Sequence, residues 1–435
     1  MKTLLSGAVV VTCNESHDVL KPGDVLIEDD RIAFVGPKYE GDYDQKVHLG
    51  GYLLMPGLIN AHTHSSMTLF RSRADDVDLR TFLQERVWPL EAKLTDEDAY
   101  VGSLLSAIEM LKSGVTCYVD MYFFEEGLVR AALDTGIRAV ITPGIIEVPG
   151  LVKALGHWDQ RTNTVIDFCR RWENYTGRIH TGLGPHAPYT LPFEALKEIS
   201  SEAKRNDLPV HIHLVETKEE RDNFNSKGLG STVGALEEAG FFEAKVISAH
   251  SVWIEEGDEH IYARHHTGVA HCPISNAKLG VGVAPINRML SAGVNVGLGT
   301  DSAASNNNLN LWEELKFAPL IAKAVSQNPL VISAEQALWM ATRLGAIAIH
   351  RSDIGVIANG MKADIIALDI DRPEFLPATT ASDYVHHLVY SANKDMVKHV
   401  WVNGSKVVEN GQLLMLDEAE TIKKAGVVAA RLLEG

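Results

Sequence analysis

The sequence predicts an α/β fold: a (β/α)8 barrel of TIM type with a small β-sandwich domain made from the two chain ends. Three observations predict it. Residues 56–350 alternate short apolar runs with amphipathic helical periods, and about eight such runs are present. The flanking stretches, about 1–55 and 355–415, show short strands with Gly and Asn turns instead. A chain of 435 residues is too long for one small core and suits a large barrel with a smaller companion. The boundaries read this way are 1–55 and 355–435 for the composite β-domain, with its C-terminal helix, and 56–354 for the barrel.

The elements follow in order. Leu4–Thr12, rich in valine, reads as a first strand and not as the apolar core of a signal peptide, since no small-residue cleavage site follows. Asp24–Val35 reads as another strand. Turn signals stand at Lys21-Pro22-Gly23-Asp24, Gly36-Pro37 and Gly50-Gly51. The barrel strands are expected at Leu58–Asn60, Thr116–Val119, Ala139–Ile141, His180–Leu183, Val210–Leu214, Val246–Ala249, Val269–His271 and Val294–Leu298. Amphipathic helices include Asp96–Lys112, Glu194–Arg205, Gly230–Ala239 and Ala284–Ser291. Ala363–Leu368, Val397–Val402 and Ser405–Val408 return to strands, and the helix Asp417–Leu433 ends the series.

Composition excludes several classes of function. The net charge is −17, from 40 basic and 57 acidic residues, so no nucleic-acid footprint and no docking to an anionic membrane is expected. No apolar run reaches the roughly 18 residues of a membrane span. Cys13, Cys117, Cys169 and Cys272 are scattered with no C-x-x-C pair, which argues against both a disulfide framework and a cysteine-built zinc site. The expected location is the cytoplasm.

The chemistry-bearing residues sit at strand ends. His62-Thr63-His64 follows the apolar Leu58–Ala61, and residues two apart on a strand share a face. His211-Ile212-His213 ends another strand, with Glu216 three residues on. His211 and His213 share a face, so spacing does not say which is a ligand. His250 and Asp301 end two more strands. Each has an ordinary reading as a core histidine or a helix cap. Together they place imidazoles and a carboxylate at the C-terminal mouth of a barrel, where barrel enzymes keep their sites. Such a set suits one divalent metal per subunit, zinc first, with iron or manganese as alternatives. A metal with an open position makes water a nucleophile near neutral pH, and Glu216 is placed to move a proton.

Met55-Pro56-Gly57-Leu58-Ile59-Asn60-Ala61-His62-Thr63-His64 resembles the opening of the amidohydrolase superfamily. His211–Thr217, Ser248-Ala249-His250, His271-Cys272-Pro273-Ile274-Ser275-Asn276 and Gly299–Asn307 follow in that superfamily's order, and Gly360–Ile365 resembles its return to the β-domain. The group it resembles within the superfamily is the 5′-methylthioadenosine/S-adenosylhomocysteine deaminases. The resemblance implies His62, His64, His213 and Asp301 as metal ligands. It implies Glu216 as proton shuttle to the purine ring, His250 as the residue orienting the attacking oxygen, and Asp301 as the acceptor of its proton. It further implies that Glu91 holds the ribose hydroxyls and that His186 contacts the purine. Trp88 and Met121 are candidate apolar walls, with a place in the plain core as the other reading. One departure stands out: Pro143 occupies the place where some relatives carry an arginine for the substrate's amino-acid tail, and Arg161 is the candidate substitute.

The expected function is therefore metal-dependent hydrolytic deamination of an adenine nucleoside: 5′-methylthioadenosine, S-adenosylhomocysteine, 5′-deoxyadenosine or adenosine. The alternative is another aminated heterocycle, such as a pterin, guanine or triazine. A non-catalytic barrel scaffold would have shed ligands, and none is missing here. The resemblance also implies a homo-oligomer.

Overall fold

The computed structural model describes residues 1–434. Eight parallel strands run in the order in which the chain makes them: Leu58–Thr63, Val115–Asp120, Arg138–Ile141, Ile179–Thr181, Pro209–Leu214, Lys245–His250, Gly268–His271 and Asn295–Leu298. The first four pair in sequence in one sheet and the last four in another. Parallel bridges Leu183–Val210 and Thr63–Asp301 then join the edges of the two sheets, so the eight strands succeed one another around a closed circuit. The first and eighth strands can meet because Gly299 lacks a side chain: a Cβ there would lie 2.9 Å from the Cβ of His62.

Helices fill the connections. Asp96–Lys112 forms where its periodicity placed it, started by a capping box between Thr95 and Asp98. Phe193–Arg205 and Ile286–Ser291 lie within two residues of expectation, and Thr232–Glu238 is shorter than the expected Gly230–Ala239. A cluster of small and β-branched residues lies inside the circuit: Ile59, Ala61, Cys117, Val119, Val140, Ile247 and Ala270. Ala346 and Ile349, from the Arg343–Ala348 helix and its end, join them.

The two chain ends meet in one nine-stranded sheet. Strands Lys2–Val11, Val19–Glu28, Arg31–Gly36, Gln45–His48 and Tyr52–Pro56 pair with Ile365–Asp369, Val397–Val402, Ser405–Glu409 and Gln412–Leu413. The single strand expected over Asp24–Val35 is in fact two. Asp29 takes a left-handed conformation, φ 54°, and turns the chain between two antiparallel strands. The β-branched Val25, Ile27 and Ile32 on either side masked that turn. A buried ion pair fastens the sheet to the barrel: Arg138, on the third barrel strand, donates to Asp364 at 2.7 and 2.9 Å. All four cysteines are buried and free. Among the described residues no helix is long and apolar enough to cross a membrane.

Candidate active site

The strand ends converge as their spacing implied, with help from strained backbone. His250 and Asp301 both adopt positive φ, 70° and 59°, and Val215 does so at 51°. Non-glycine residues hold this region at a cost, and such strain concentrates at functional sites. Here it bends the chain at the barrel mouth.

Three imidazoles are oriented by hydrogen bonds at their Nδ1 atoms. His64 Nδ1 donates to the carbonyl of Met121 at 2.5 Å, and His213 Nδ1 donates to that of His186 at 2.8 Å. A relay holds His62. Thr142 Oγ1 donates to the carbonyl of Asp120 at 2.8 Å and so accepts from His211 Nδ1 at 2.9 Å. His211 Nε2 is then the acceptor for His62 Nδ1–H, at 2.8 Å. All three histidines are left with a bare Nε2 lone pair, the form a metal binds.

Those Nε2 atoms face a common point. His64 Nε2 lies 3.2 Å from His213 Nε2 and 3.3 Å from Asp301 Oδ1, which lies 3.5 Å from His62 Nε2. Ligand atoms about 2.05 Å from a tetrahedral zinc sit roughly 3.3 Å from each other, so the spacing fits. His62 Nε2 is buried and has no hydrogen-bond partner, as expected of a ligand atom. Asp301 is steadied by Ser275 and Ser305, whose hydroxyls donate to Oδ2 at 2.6 and 2.9 Å.

His250 stands beside this group, its ligating atom within 4.8 Å of those of His62 and His213. Its Nδ1 pairs with Asn276 Oδ1 at 2.9 Å, and its Nε2 lies 3.9 Å from Glu216 Oε1. Burial holds the Glu216 carboxyl above the usual carboxylate range and pushes that of Glu91 up to about 7. Burial also lowers His186 to about 3, which keeps its ring neutral.

One pocket joins these groups. His64, His213, His250, Glu216 and Asp301 line it, together with His186, Glu91, Trp88 and Met121. Trp88 and Met121 are therefore pocket walls and not plain core. Much of the remaining wall is apolar, from Leu79, Phe82, Leu83, Val87, Phe123 and Ile146. Arg161 does not line the pocket. It is buried against Glu125, to which it donates at 3.0 and 2.8 Å, and its Nε donates to the carbonyl of Gly144. Sequence reasoning weighed His211 only as an alternative to His213 for a ligand, and gave no role to Asn276, Ser275, Ser305 or the 79–87 segment. The signals present for the four residues were the motifs that contain them: His211–Thr217, His271–Asn276 and Gly299–Asn307.

The amidohydrolase family model matches residues 53–407. The chain belongs to the amidohydrolase family. This amidohydrolase is 41% identical over 438 residues to a 5-methylthioadenosine/S-adenosylhomocysteine deaminase from Pelotomaculum thermopropionicum, covering 99% of this chain and 98% of that protein. It is 40% identical over 430 residues to a 5′-deoxyadenosine deaminase from Methanosarcina acetivorans, with the same coverage. Among solved structures, an adenosine deaminase from Xanthomonas campestris with bound zinc superposes with a TM-score of 0.95 at 31% identity, covering 100% of this chain and 99% of that one. An atrazine chlorohydrolase from Arthrobacter aurescens, at 23% identity and a TM-score of 0.89 over 98% of this chain and 100% of that one, shares the fold. The expected TIM-type barrel of mixed α/β content is the fold of this family.

Proposed function

We propose that this amidohydrolase deaminates adenine nucleosides hydrolytically, with zinc as its metal. One observation carries the reading: a single pocket is lined by three of the four converging residues, His64, His213 and Asp301, together with the raised carboxyl of Glu216 and the buried carboxyl of Glu91. The adenine-nucleoside deaminase names of relatives about 40% identical over nearly the whole chain support it.

In this reading His62, His64, His213 and Asp301 hold the ion. A bound divalent ion lowers the pKa of water and so supplies a nucleophile near neutral pH. The chain does the rest. His250, fixed by Asn276, orients the attacking oxygen, and Asp301 takes its proton. Glu216 protonates the ring nitrogen next to C6, a role that suits a carboxyl whose burial favours the protonated form. The C6–O bond forms, the C6–N bond breaks, and ammonia and the inosine derivative leave. Glu91 accepts from the ribose hydroxyls, His186 meets the purine edge, and Trp88 packs on the substrate's flat face.

The apolar wall favours small, uncharged 5′ groups. A methylthio or methyl group loses little on burial there, whereas the amino-acid tail of S-adenosylhomocysteine finds no lysine or arginine among the pocket-lining residues. The fitting substrates are 5′-methylthioadenosine, 5′-deoxyadenosine and adenosine. We take the chain ends, 1–55 and 355–435, as one unit whose sheet curls into a sandwich around Leu5, Val10, Ile27 and Ile365, beside the barrel at 56–354. The enzyme is read as a cytoplasmic homo-oligomer.

The test compares kcat/KM of zinc-loaded protein on these nucleosides by the change in adenine absorbance. Turnover of the small 5′ derivatives, with S-adenosylhomocysteine well below them, is expected. No turnover of any adenine nucleoside would overturn the reading.

A further inference from the structure

Glu216 has an unusual support. Among the described residues its carboxyl oxygens take no hydrogen bond within 3.5 Å, so its direction depends on its backbone. That backbone follows Val215, a β-branched residue held at φ 51° in the left-handed region. The turn relaxes unless something holds it.

Glu220 is the holder. It lies in the first turn of the helix Lys218–Ser226, which Thr217 caps by accepting from the Glu220 amide at 3.1 Å. The Glu220 side chain does not close a capping box on Thr217. It reaches further back, where Oε1 accepts from the Val215 amide at 2.9 Å and Oε2 from the Glu216 amide at 3.3 Å. Each oxygen is matched to one N–H, and the residue is only 4% exposed. A second tie acts on the same turn, since the Val215 carbonyl accepts from the Trp253 amide at 2.9 Å.

We propose that Glu220 is a positioning residue for the proton-transfer step: its carboxyl clamps the amides of Val215 and Glu216 and so aims the Glu216 side chain at the reaction centre. The inference rests on the reading of Glu216 as the proton donor. Burial pushes the Glu220 carboxyl up to about 8, yet either protonation state leaves an acceptor lone pair on both oxygens, so the clamp survives the titration.

Glu220→Gln tests it. The amide keeps the size and one acceptor, but its NH2 cannot accept from an N–H. In the zinc-loaded enzyme kcat on methylthioadenosine should fall about 10- to 100-fold, the scale of a lost catalytic orientation. KM, zinc content and melting temperature should stay near the parent's, because the ligands and the Glu91 wall are untouched. In a Glu216→Gln background the same change should cost less than about 3-fold in the residual rate, since two residues acting through one group are not additive. Glu220→Asp, which shortens the reach but keeps the charge, should also lower kcat and serves if the glutamine variant does not fold. An unchanged kcat, equal losses in both backgrounds, or losses of zinc and melting temperature that track kcat would overturn the clamp. An active Glu216→Gln would refute the proton-donor role and the clamp with it. An inactive Glu216→Gln beside an unaffected Glu220→Gln would refute the clamp alone.

Discussion

Replacing His211 by leucine tests the assignment of ligands and supports in this metal site. His211 is buried and sits in the middle of a relay from His62 Nδ1 to Thr142 Oγ1, with contacts of 2.8 and 2.9 Å. Leucine fills much of the same space and offers neither bond. His62 Nδ1–H is then buried without an acceptor, and its ring is free to rotate away from the ion. Removing a group that orients a ligand costs about 10- to 100-fold in metal affinity, which is about 1.4 to 2.7 kcal/mol. One unpaired buried donor costs about 1 to 3 kcal/mol, in agreement. The assay is competition for zinc against a chelator of known affinity, with circular dichroism to confirm the fold. His213→Leu, run alongside, should lose far more, because it removes a proposed ligand. An unchanged zinc affinity in folded His211→Leu would refute the relay. A loss as deep as that of His213→Leu would make His211 a ligand itself.

Three more predictions follow from the same geometry. Glu91 ionises only above about 7 in the free site, and ribose hydroxyls donate to the ionised form. So kcat/KM should rise about tenfold per pH unit below 7 and level off above it, while Glu91→Gln should lose that limb and raise KM about 10- to 100-fold; steady-state rates between pH 5.5 and 8.5 decide. Stripping the metal with a chelator should abolish turnover and lower the melting temperature while leaving the far-ultraviolet spectrum folded, because the ligands sit at the barrel mouth and not in its packed interior; zinc should restore the rate. Asp364→Ala strands the fully buried Arg138 and should cost about 3 to 5 kcal/mol in a denaturant titration, with kcat of the folded fraction unchanged.

Much of the architecture was legible because a barrel writes itself locally. Each strand is a short apolar run and each helix a periodic one, so all eight parallel strands could be located from pattern alone. Asp29 shows where this fails. The hairpin between Val19–Glu28 and Arg31–Gly36 turns on one left-handed residue within the charged run Glu28-Asp29-Asp30-Arg31, a short turn that the apolar residues on either side bridged in the strand reading. The candidate ligand types were legible too, because His62, His64, the pair His211 and His213, and Asp301 fall at strand ends and parallel topology brings strand ends together.

What the sequence alone determined was therefore a set of chemistries and their common address. Tertiary structure decided how the work is divided. His211 and His213 point to the same face and look alike in sequence. In the folded chain His211 Nε2 is taken up by His62, whereas His213 bonds the carbonyl of His186 through Nδ1, and this difference is the basis of the proposal that His211 supports and His213 binds the metal. Arg161 looked available for the substrate's tail until Glu125, 36 residues earlier in the chain, was found holding it. Trp88 could have been core, but the folded chain places it on the pocket lining beside Leu79, Phe82, Leu83 and Val87. For the two histidines and Arg161 the deciding partner is distant in sequence. Hydrogen-bond pairing at that range leaves no periodic trace, so only the folded chain could assign the roles.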